Sequence, residues 1–236
     1  MQTDVEVLRY GQVRFRHELK YAANEAEARM VATRMAALLQ RDRHAGRSGS
    51  YTITSLYFDT PYDEALRQKI EGFTKREKFR IRYYGTGPQF CKLEKKLKSN
   101  GLCSKRSVRI TPCEARRVLA GDIGFLLEGS DPLMVEFYSK LRGQLLKPCV
   151  VVRYERQAFT CPMGNTRVTV DEHVRSSLSV SRFFDADTRG FDPMNGLAVV
   201  EVKYDSYLPA HVCNVVAALG RSAQACSKYA LGRRFG

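Results

Sequence analysis

The chain has 236 residues, of which 44% are hydrophobic, so it can bury a substantial core and is not disordered by composition. A formal net charge of +14 indicates an anionic partner: nucleic acid, a phosphorylated small molecule, polyphosphate or an acidic membrane. Seven cysteines without a C-x-x-C pair argue against a disulfide framework and a thiolate zinc site. No apolar run approaches the ~20 residues that span a bilayer, and no secretion signal is recognisable. We therefore expect a cytoplasmic protein that reaches membranes only through a partner.

The first half of the chain alternates predicted strands and helices. Asn24 and Glu27 form a capping-box pattern at the start of the first helix, and Thr60-Pro61 opens a shorter helix that stops at Gly72. The predicted elements are a strand over 13–21, a helix over 25–41, a strand over 51–58, a helix over 60–72 and strands over 78–84, 90–97 and 105–110. The last two strands flank Ser99-Asn100-Gly101, which predicts a hairpin.

The second half continues in the same way. A second capping box at Thr111-Pro112-x-Glu114 begins a helix that Gly121 ends, and Asp131-Pro132 opens another. The further predicted elements are a helix to about 146, strands over 150–159 and 167–170 joined as a hairpin, a strand over 198–204 and a helix over 209–219. Many antiparallel strands with interspersed helices predict an α+β protein built on one large sheet or barrel.

Charged residues occupy alternate positions in segments that are far apart in the sequence. Mostly apolar residues separate them, which is typical of strands with one apolar and one charged face. The charged sets are Arg14, Arg16, Glu18 and Lys20; Lys78, Arg80 and Arg82; Lys92, Glu94 and Lys96; and Glu201 and Lys203. An ordinary solvated face would contain more Ser, Thr, Asn and Gln. The pattern therefore favours a shared site for a polyanion.

The predicted helices must bury their apolar stripes, and the apolar strand faces are their natural partners. If the helices cover the outside of a curved sheet, the charged faces point inward at each other. Like charges 4 Å apart repel by roughly 4 kcal/mol at an effective dielectric of about 20, so such an interior needs water, carboxylates and a bound anion. Glu18, Glu94, Asp171 and Glu201 can supply the carboxylates. The pattern alone leaves open a solvated, open sheet face without a ligand.

Ten short motifs, in order and over nearly the whole chain, resemble the catalytic domain of VTC-type polyphosphate polymerases, a branch of the triphosphate tunnel metalloenzymes. They are Arg16-x-Glu18-x-Lys20-Tyr21, Ser55-Leu56-Tyr57-Phe58-Asp59-Thr60, Glu71-Gly72, Arg80-Ile81-Arg82-Tyr83-Tyr84-Gly85, Leu93-Glu94-Lys95-Lys96, Ser107-Val108-Arg109, Tyr154-x-Arg156-x-Ala158-Phe159, Arg167-Val168-Thr169-Val170-Asp171, Val200-Glu201-Val202-Lys203-Tyr204 and Ser227-Lys228-Tyr229. Each motif alone is weak evidence, whereas their joint order is specific.

The resemblance implies an antiparallel β-barrel that forms a tunnel, with helices packed on the outside, as one catalytic domain over 1–236. It implies binding of ATP with a divalent metal ion, Mn²⁺ or Mg²⁺, and transfer of the terminal phosphoryl group to inorganic polyphosphate. The motif matches give as catalytic phosphate ligands Lys20, Arg80, Arg82, Lys96, Arg109, Arg156, Arg167 and Lys228. Further expected substrate contacts are Lys92, Lys105, Tyr154, Lys203 and Arg16. Glu201, with Glu18, is the expected metal ligand.

Some residues have simpler interpretations. Glu94 is expected to pair with Lys92 or Lys96 rather than to bind metal, and Asp171 to orient Arg167 or to end a strand. The related triphosphatase and cyclase branch carries Glu-x-Glu-x-Lys on its first strand, where this chain has Arg16 in place of the first glutamate. That exchange favours the polymerase branch. Membrane helices found in eukaryotic members are not recognised here, so any product translocation would need a membrane-protein partner.

Two alternatives to a polymerase remain open from the sequence. One is a triphosphatase that hydrolyses inorganic or nucleoside triphosphate in the same tunnel, with water as the acceptor. The other is a non-catalytic module that binds polyphosphate or another polyanion. A specific nucleic-acid partner is not expected, because aromatic residues that could stack on bases are scarce between the basic residues.

Overall fold

The computed structural model describes residues 14–46, 48–185 and 190–234. Its strands are β1 (His17–Ala23), β2 (Gln40–Arg41), β3 (Tyr51–Asp59), β4 (Lys75–Tyr84), β5 (Cys91–Ser99), β6 (Leu102–Ile110), β7 (Lys147–Cys161), β8 (Thr166–Ser177) and β9 (Ala198–Tyr204). The α-helices are α1 (Glu25–Leu38), α2 (Glu64–Ile70), α3 (Pro112–Leu119), α4 (Pro132–Gly143), α5 (Ala210–Ala217) and α6 (Lys228–Gly232). This α+β composition confirms the predicted fold class.

All nine strands belong to one antiparallel sheet in the order β1-β9-β8-β7-β3-β4-β5-β6, with β2 beside the end of β7. The two edge strands of this order come together, because the backbones of Arg16 and Cys103 exchange two hydrogen bonds of 2.9 Å. Within the described residues this bridge is where the edges pair, so the sheet curls into a barrel-like tunnel that is not closed by a full ladder.

Four helices cover the outer face of this curled sheet. On one side α1 and α5 pack against β8, β9 and β1, with Met35 and Val215 in the same apolar cluster as Val168 and Val200. On the other side α3 and α4 pack against β3, β4 and β5. Phe137 of α4 lies edge-on to Phe58 at 5.0 Å and stacks on Phe79 at 5.4 Å between ring centroids. This confirms the expected burial of apolar strand faces under helices.

The short helix α6 is the exception, because it packs on inner-face side chains. Tyr229 belongs to a buried cluster with Tyr57, Val150 and Val152, and its ring centroid is 5.3 Å from that of Tyr57. Tyr57, Val150 and Val152 share the strand face that carries Ser55. The inner-face side chains of β3 and β7 at this end are therefore apolar or aromatic and are covered by α6.

Polar contacts hold α6 in this place. The Tyr229 hydroxyl donates to the buried carboxylate of Asp59, which also accepts from the amides of Ala65 and Leu66 in the first turn of α2. Arg233 pairs with Asp63 at 2.6 Å. The end of β3, the start of α2 and the C-terminal helix are thus one connected unit.

Several element boundaries differ from the prediction. Helix α1 ends at Leu38 instead of 41, because Gln40 and Arg41 pair with β7. Helix α2 begins at Glu64, because its first amides are bonded by Asp59 after a left-handed Asp63 (φ 52°). Strand β8 continues past 170 to Ser177, since it keeps pairing with β7 beyond a bulge. Val13, predicted to begin the first strand, lies outside the described residues.

The predicted hairpins and capping boxes are confirmed. Asn100 and Gly101 connect β5 and β6 with positive φ of 46° and 85°, as such a turn requires. Asn24 with Glu27 and Thr111 with Glu114 each satisfy both bonds of a capping box. No helix in the described part of the chain is both long and apolar enough to cross a membrane.

Candidate functional site

The predicted phosphate ligands come from distant parts of the sequence, but the strand register places most of them on one face. Arg80 lies opposite Glu94 and Arg82 opposite Lys92, while Lys96 lies opposite Lys105. On the other wall Lys20 lies opposite Glu201. The inner face is accordingly lined by Lys20, Arg80, Arg82, Lys92, Lys96, Lys105, Arg109, Arg156, Arg167 and Lys203, with Lys228 added by α6.

Glu94 holds two of these cations. Its carboxylate is 2.6 Å from Arg80 and 2.7 Å from Lys105, and its side chain is fully buried. Burial alone would raise the pKa of Glu94, but Arg80, Arg82 and Lys105 lower that pKa well below its ordinary value. The expected pairing of Glu94 with Lys92 or Lys96 is therefore wrong, because the register sets Arg80 directly beside it.

Asp171 holds a second pair of cations. It accepts two bonds from Arg156, at 2.6 and 2.7 Å, and lies 2.6 Å from the ammonium of Lys228. Burial raises the pKa of Asp171, but Arg156 and Lys228 outweigh it and lower this pKa to about 2. Asp171 thus pairs with Arg156 instead of Arg167, and β8 continues beyond it.

Glu18 and Glu201 lie on the remaining wall. Glu18 contacts Lys96 at 2.7 Å and Lys20 at 2.9 Å, and Glu201 contacts Lys203 at 2.6 Å. The contact between Glu18 on β1 and Lys96 on β5 lies beside the seam between the sheet edges, because β5 adjoins β6 and Cys103 of β6 pairs with Arg16. Burial is the main cause that lowers the pKa of Lys203, to about 8, against the opposing effect of Glu201 and Glu18.

Arg82 is held by neutral oxygens instead of a carboxylate. Its guanidinium donates to the Ser55 hydroxyl at 3.0 Å and to the Tyr154 hydroxyl at 2.9 Å. Arg80 likewise donates to Tyr57 at 3.1 Å, and burial of the Tyr57 phenol is outweighed by Arg80 and Arg82, which lower its pKa. Ser55 and Tyr57 belong to one of the ten motifs but were not among the predicted site residues, although period-two spacing puts both on the inner face of β3.

The other predicted residues lie toward the end of the inner face opposite α6. Arg109 lies over the Phe90 ring at 4.3 Å, and Lys92 over the Tyr84 ring at 5.5 Å. Arg167 donates to Tyr51 at 3.0 Å and pairs at 2.5 Å with Asp42, a partner that the sequence did not reveal because it comes from the loop after β2.

Arg16 makes its side-chain contacts with Asp205 and Asn165, not with the central carboxylates. Its guanidinium is 3.1 Å from Asp205 and donates to the backbone carbonyl of Asn165. It therefore borders the start of β1 and the end of β9 and makes its contacts with the rim of the sheet.

The two predicted metal ligands supply carboxylate oxygens. Burial and the charge of Glu201 raise the pKa of Glu18, and burial raises the pKa of Glu201, although neighbouring lysines lower the pKa of both carboxylates overall. Thr169, the register partner of Glu201, has a buried hydroxyl without a hydrogen-bond partner in the described structure. No group of three or more His, Cys, Asp or Glu residues in ranges 14–46, 48–185 and 190–234 has the arrangement of a metal site. Two carboxylates fit Mg²⁺ or Mn²⁺ best when phosphate oxygens complete the ligand set.

Comparison with solved structures identifies the same fold at low sequence identity. A candidate adenylate cyclase from Bacillus halodurans superposes with a TM-score of 0.55 and 13% identity, covering 95% of this chain and 99% of that one. HpAC1 from Hippeastrum, a candidate adenylyl cyclase with a dominant triphosphatase activity, gives a TM-score of 0.55 and 14% identity over 92% of this chain and 95% of its own. At these identities the likeness shows the fold alone.

Sequence comparison gives a family. A search of curated proteins gives no significant match. The sequence profile of the VTC domain, in contrast, matches residues 15–235, which include the described inner-face residues from β1 to α6. The chain therefore belongs to the VTC domain family and has the fold of the triphosphate tunnel enzymes.

Proposed function

We propose that this chain is a polyphosphate polymerase. It transfers the terminal phosphoryl group of ATP to a terminal phosphate oxygen of inorganic polyphosphate, giving ADP and a chain longer by one phosphate. The observation that carries the proposal is the convergence of cations from seven strands and α6 on one face, where four carboxylates pair with many of them. Phosphoryl transfer depends mainly on positioning and charge neutralisation, which this arrangement supplies.

The arginines and lysines have different parts in this proposal. Arg80, Arg82 and Arg156 have planar guanidinium groups that can give two parallel bonds to phosphate oxygens, while lysines contribute point charges. Tyr154 accepts a bond from Arg82, which leaves its own O–H free to donate to phosphate. Because the acceptor is itself a phosphate oxygen, no Ser, Cys or His nucleophile is needed.

Glu201 and Glu18 would hold the divalent metal ion, with the Thr169 hydroxyl alongside. A bound Mg²⁺ or Mn²⁺ would neutralise charge on the phosphate oxygens in the transition state. Lys203 contacts one carboxylate oxygen of Glu201 at 2.6 Å and shares its inner face. It would place a positive charge beside a phosphate bound at this carboxylate.

Hydrolysis of a triphosphate by water is the second candidate. The observation in its favour is α6, which covers one end of the inner face and limits the room for an acceptor chain to enter there. HpAC1, which shares the fold, has a dominant triphosphatase activity. Against this, Arg16 stands where the hydrolase branch carries the first glutamate of Glu-x-Glu-x-Lys.

Product analysis with ATP and Mn²⁺ distinguishes the candidates. A polymerase yields ADP and an acid-labile phosphate polymer, and a short polyphosphate primer should accelerate the reaction. Release of orthophosphate alone, with and without primer, would instead establish the triphosphatase. Tight polyphosphate binding without turnover under either condition would identify a non-catalytic binding module. In the polymerase case we also propose a cytoplasmic site, where ATP is supplied, and a membrane-protein partner for any translocation of the product.

A further inference from the structure

Lys78 is an inner-face lysine of β4 with unusual surroundings. Its ammonium is 3.5 Å from the hydroxyl of Ser227 and 4.2 Å from the centre of the Tyr229 ring, both in the α6 segment. No carboxylate of the described residues pairs with it at ion-pair distance. By contrast, carboxylates do pair with the inner-face lysines Lys20, Lys96, Lys105, Lys203 and Lys228.

The charged groups that act most strongly on Lys78 are cations. They come from every wall around it: Lys20 on β1, Lys96 on β5, Arg76 on its own strand and Lys69 on α2, while α6 contributes the phenol of Tyr229. Burial is the main cause that lowers the pKa of Lys78, to about 7, and the four cations lower it further. A large part of the free protein therefore holds Lys78 as a neutral amine at physiological pH.

We propose that Lys78 and Ser227 form a phosphate subsite at the α6 end of the inner face, and that this subsite takes up one proton when the phosphate binds. The negative charge missing beside Lys78 is what a phosphate would bring, and the bound anion would stabilise the ammonium form. The hydroxyl of Ser227 is placed to donate to the same group.

The ligand at this subsite is the end of a linear phosphate chain. Tyr229 and its apolar neighbours cover this end of the tunnel, so we assign the position to a terminal phosphate group and not to a nucleoside. The inference rests on the proposed function, because it assigns one position of the same tunnel. Phosphate binding and proton uptake are linked at this subsite, so the affinity for the phosphate chain should fall as the pH rises above about 7.

Calorimetric titration with inorganic tripolyphosphate at pH 8, in two buffers of different ionisation enthalpy, counts the protons taken up. The wild type should take up about one proton more per ligand than Lys78→Arg, because arginine is charged in the free protein as well. Between pH 7 and 9 the wild-type affinity should fall by up to about tenfold per pH unit relative to Lys78→Arg. Lys78→Met should bind more weakly than the wild type and also lose the extra proton.

The matched control is Lys95→Arg, the same exchange on the outer face of β5, where Glu77 and Glu136 already pair with the lysine. It should keep the wild-type proton count. A parallel titration with ATP distinguishes the two sources of phosphate. If the extra proton is taken up with both ligands, the subsite binds the terminal phosphate of ATP as well as the polyphosphate chain. If it is taken up with tripolyphosphate alone, the subsite binds the chain end.

The experiment distinguishes failure of the Lys78 subsite from failure of the proposed function. Equal proton counts and equal pH slopes for wild type, Lys78→Arg and Lys78→Met, with tripolyphosphate still bound, would overturn the Lys78 subsite and leave the tunnel function intact. Absence of any tripolyphosphate binding by the folded wild type would overturn both.

Discussion

Lys228 of α6 places its ammonium 2.6 Å from the carboxylate of Asp171 on β8, so the C-terminal helix contributes a cation to the inner face of the sheet. The same carboxylate accepts two bonds from Arg156 of β7. One buried acid therefore positions two proposed phosphate ligands that lie on different elements. Its side chain has no exposed surface, and only 9–10% of the side-chain surfaces of its two partners is exposed.

Replacing this acid tests its role in positioning. We expect Asp171→Asn to destabilise the fold by about 3 kcal/mol, because it leaves two buried cations without their counter-charge. Among the molecules that stay folded, triphosphate affinity should fall although the number of cations is unchanged, since Arg156 and Lys228 lose their fixed orientation. Urea unfolding and tripolyphosphate titration measure the two effects, and wild-type affinity in the folded variant would contradict the positioning role.

The difference in unfolding free energy between wild type and Asp171→Asn should depend on pH. The pKa of Asp171 is lowered to about 2 in the folded protein, so its ion pairs stabilise the fold above its unfolded pKa of about 4 and are lost as the pH falls toward 2. The gap in unfolding free energy between wild type and Asp171→Asn should therefore shrink below pH 4. A gap that stays constant down to pH 3 would show that the carboxylate charge is not the cause.

The fold, and most of the residues that lie on the inner face, can be predicted from the sequence. Period-two alternation fixes which strand face a residue occupies, and this is why Arg80, Arg82, Glu94 and Glu201 could be assigned to one face before any pairing was known. Capping boxes are equally local, so the beginnings of α1 and α3 were predicted correctly.

The ion pairs that the charged side chains form within the site could not be predicted in the same way. Glu18 meets Lys96 beside the seam where the two sheet edges come together, a contact that depends on how the whole sheet curls and not on any local pattern. Asp42 reaches Arg167 from a loop without periodicity. The sequence shows Lys78 only as one of the alternating charged residues of its strand, because its burial depends on the distant α6 segment.

The two arginines of β4 should respond differently to truncation. Arg82→Ala removes a guanidinium held only by hydroxyls, so it should weaken triphosphate binding by about 1.5–3 kcal/mol, roughly 10- to 150-fold in affinity, with little loss of stability. Arg80→Ala should weaken binding similarly and also destabilise the fold, because buried Glu94 keeps only Lys105. Titration and thermal unfolding of both variants test this contrast, and equal stability losses would refute the assigned difference.

The attachment of α6 can be tested through one hydroxyl. Tyr229→Phe keeps the ring against Tyr57 but removes the bond to Asp59. Since Asp59 still accepts from Ala65 and Leu66, we expect a loss of about 1–2 kcal/mol, as for one buried hydrogen bond. Faster amide exchange in α6 than in α1 would locate the effect, whereas uniform loss of protection would contradict a local attachment.

Glu201→Gln tests the proposed metal ligand. The exchange removes the negative charge and keeps the side-chain shape, so the variant should stay folded, and Gln can still accept a bond from Lys203. Metal-dependent turnover should fall by at least 100-fold, about 2.7 kcal/mol of transition-state stabilisation. Binding of Mn²⁺ in the presence of tripolyphosphate, followed by electron paramagnetic resonance, should weaken in parallel.

Two further variants make the result specific to Glu201. Glu155→Gln, which removes an exposed carboxylate 3.5 Å from His173, should leave both turnover and Mn²⁺ binding unchanged. Glu18→Gln should weaken Mn²⁺ binding less than Glu201→Gln if Glu18 serves mainly Lys20 and Lys96. An unchanged metal-dependent rate in Glu201→Gln, with loss of Mn²⁺ binding in Glu18→Gln, would move the metal to Glu18 and require Glu201 to act only as the partner of Lys203.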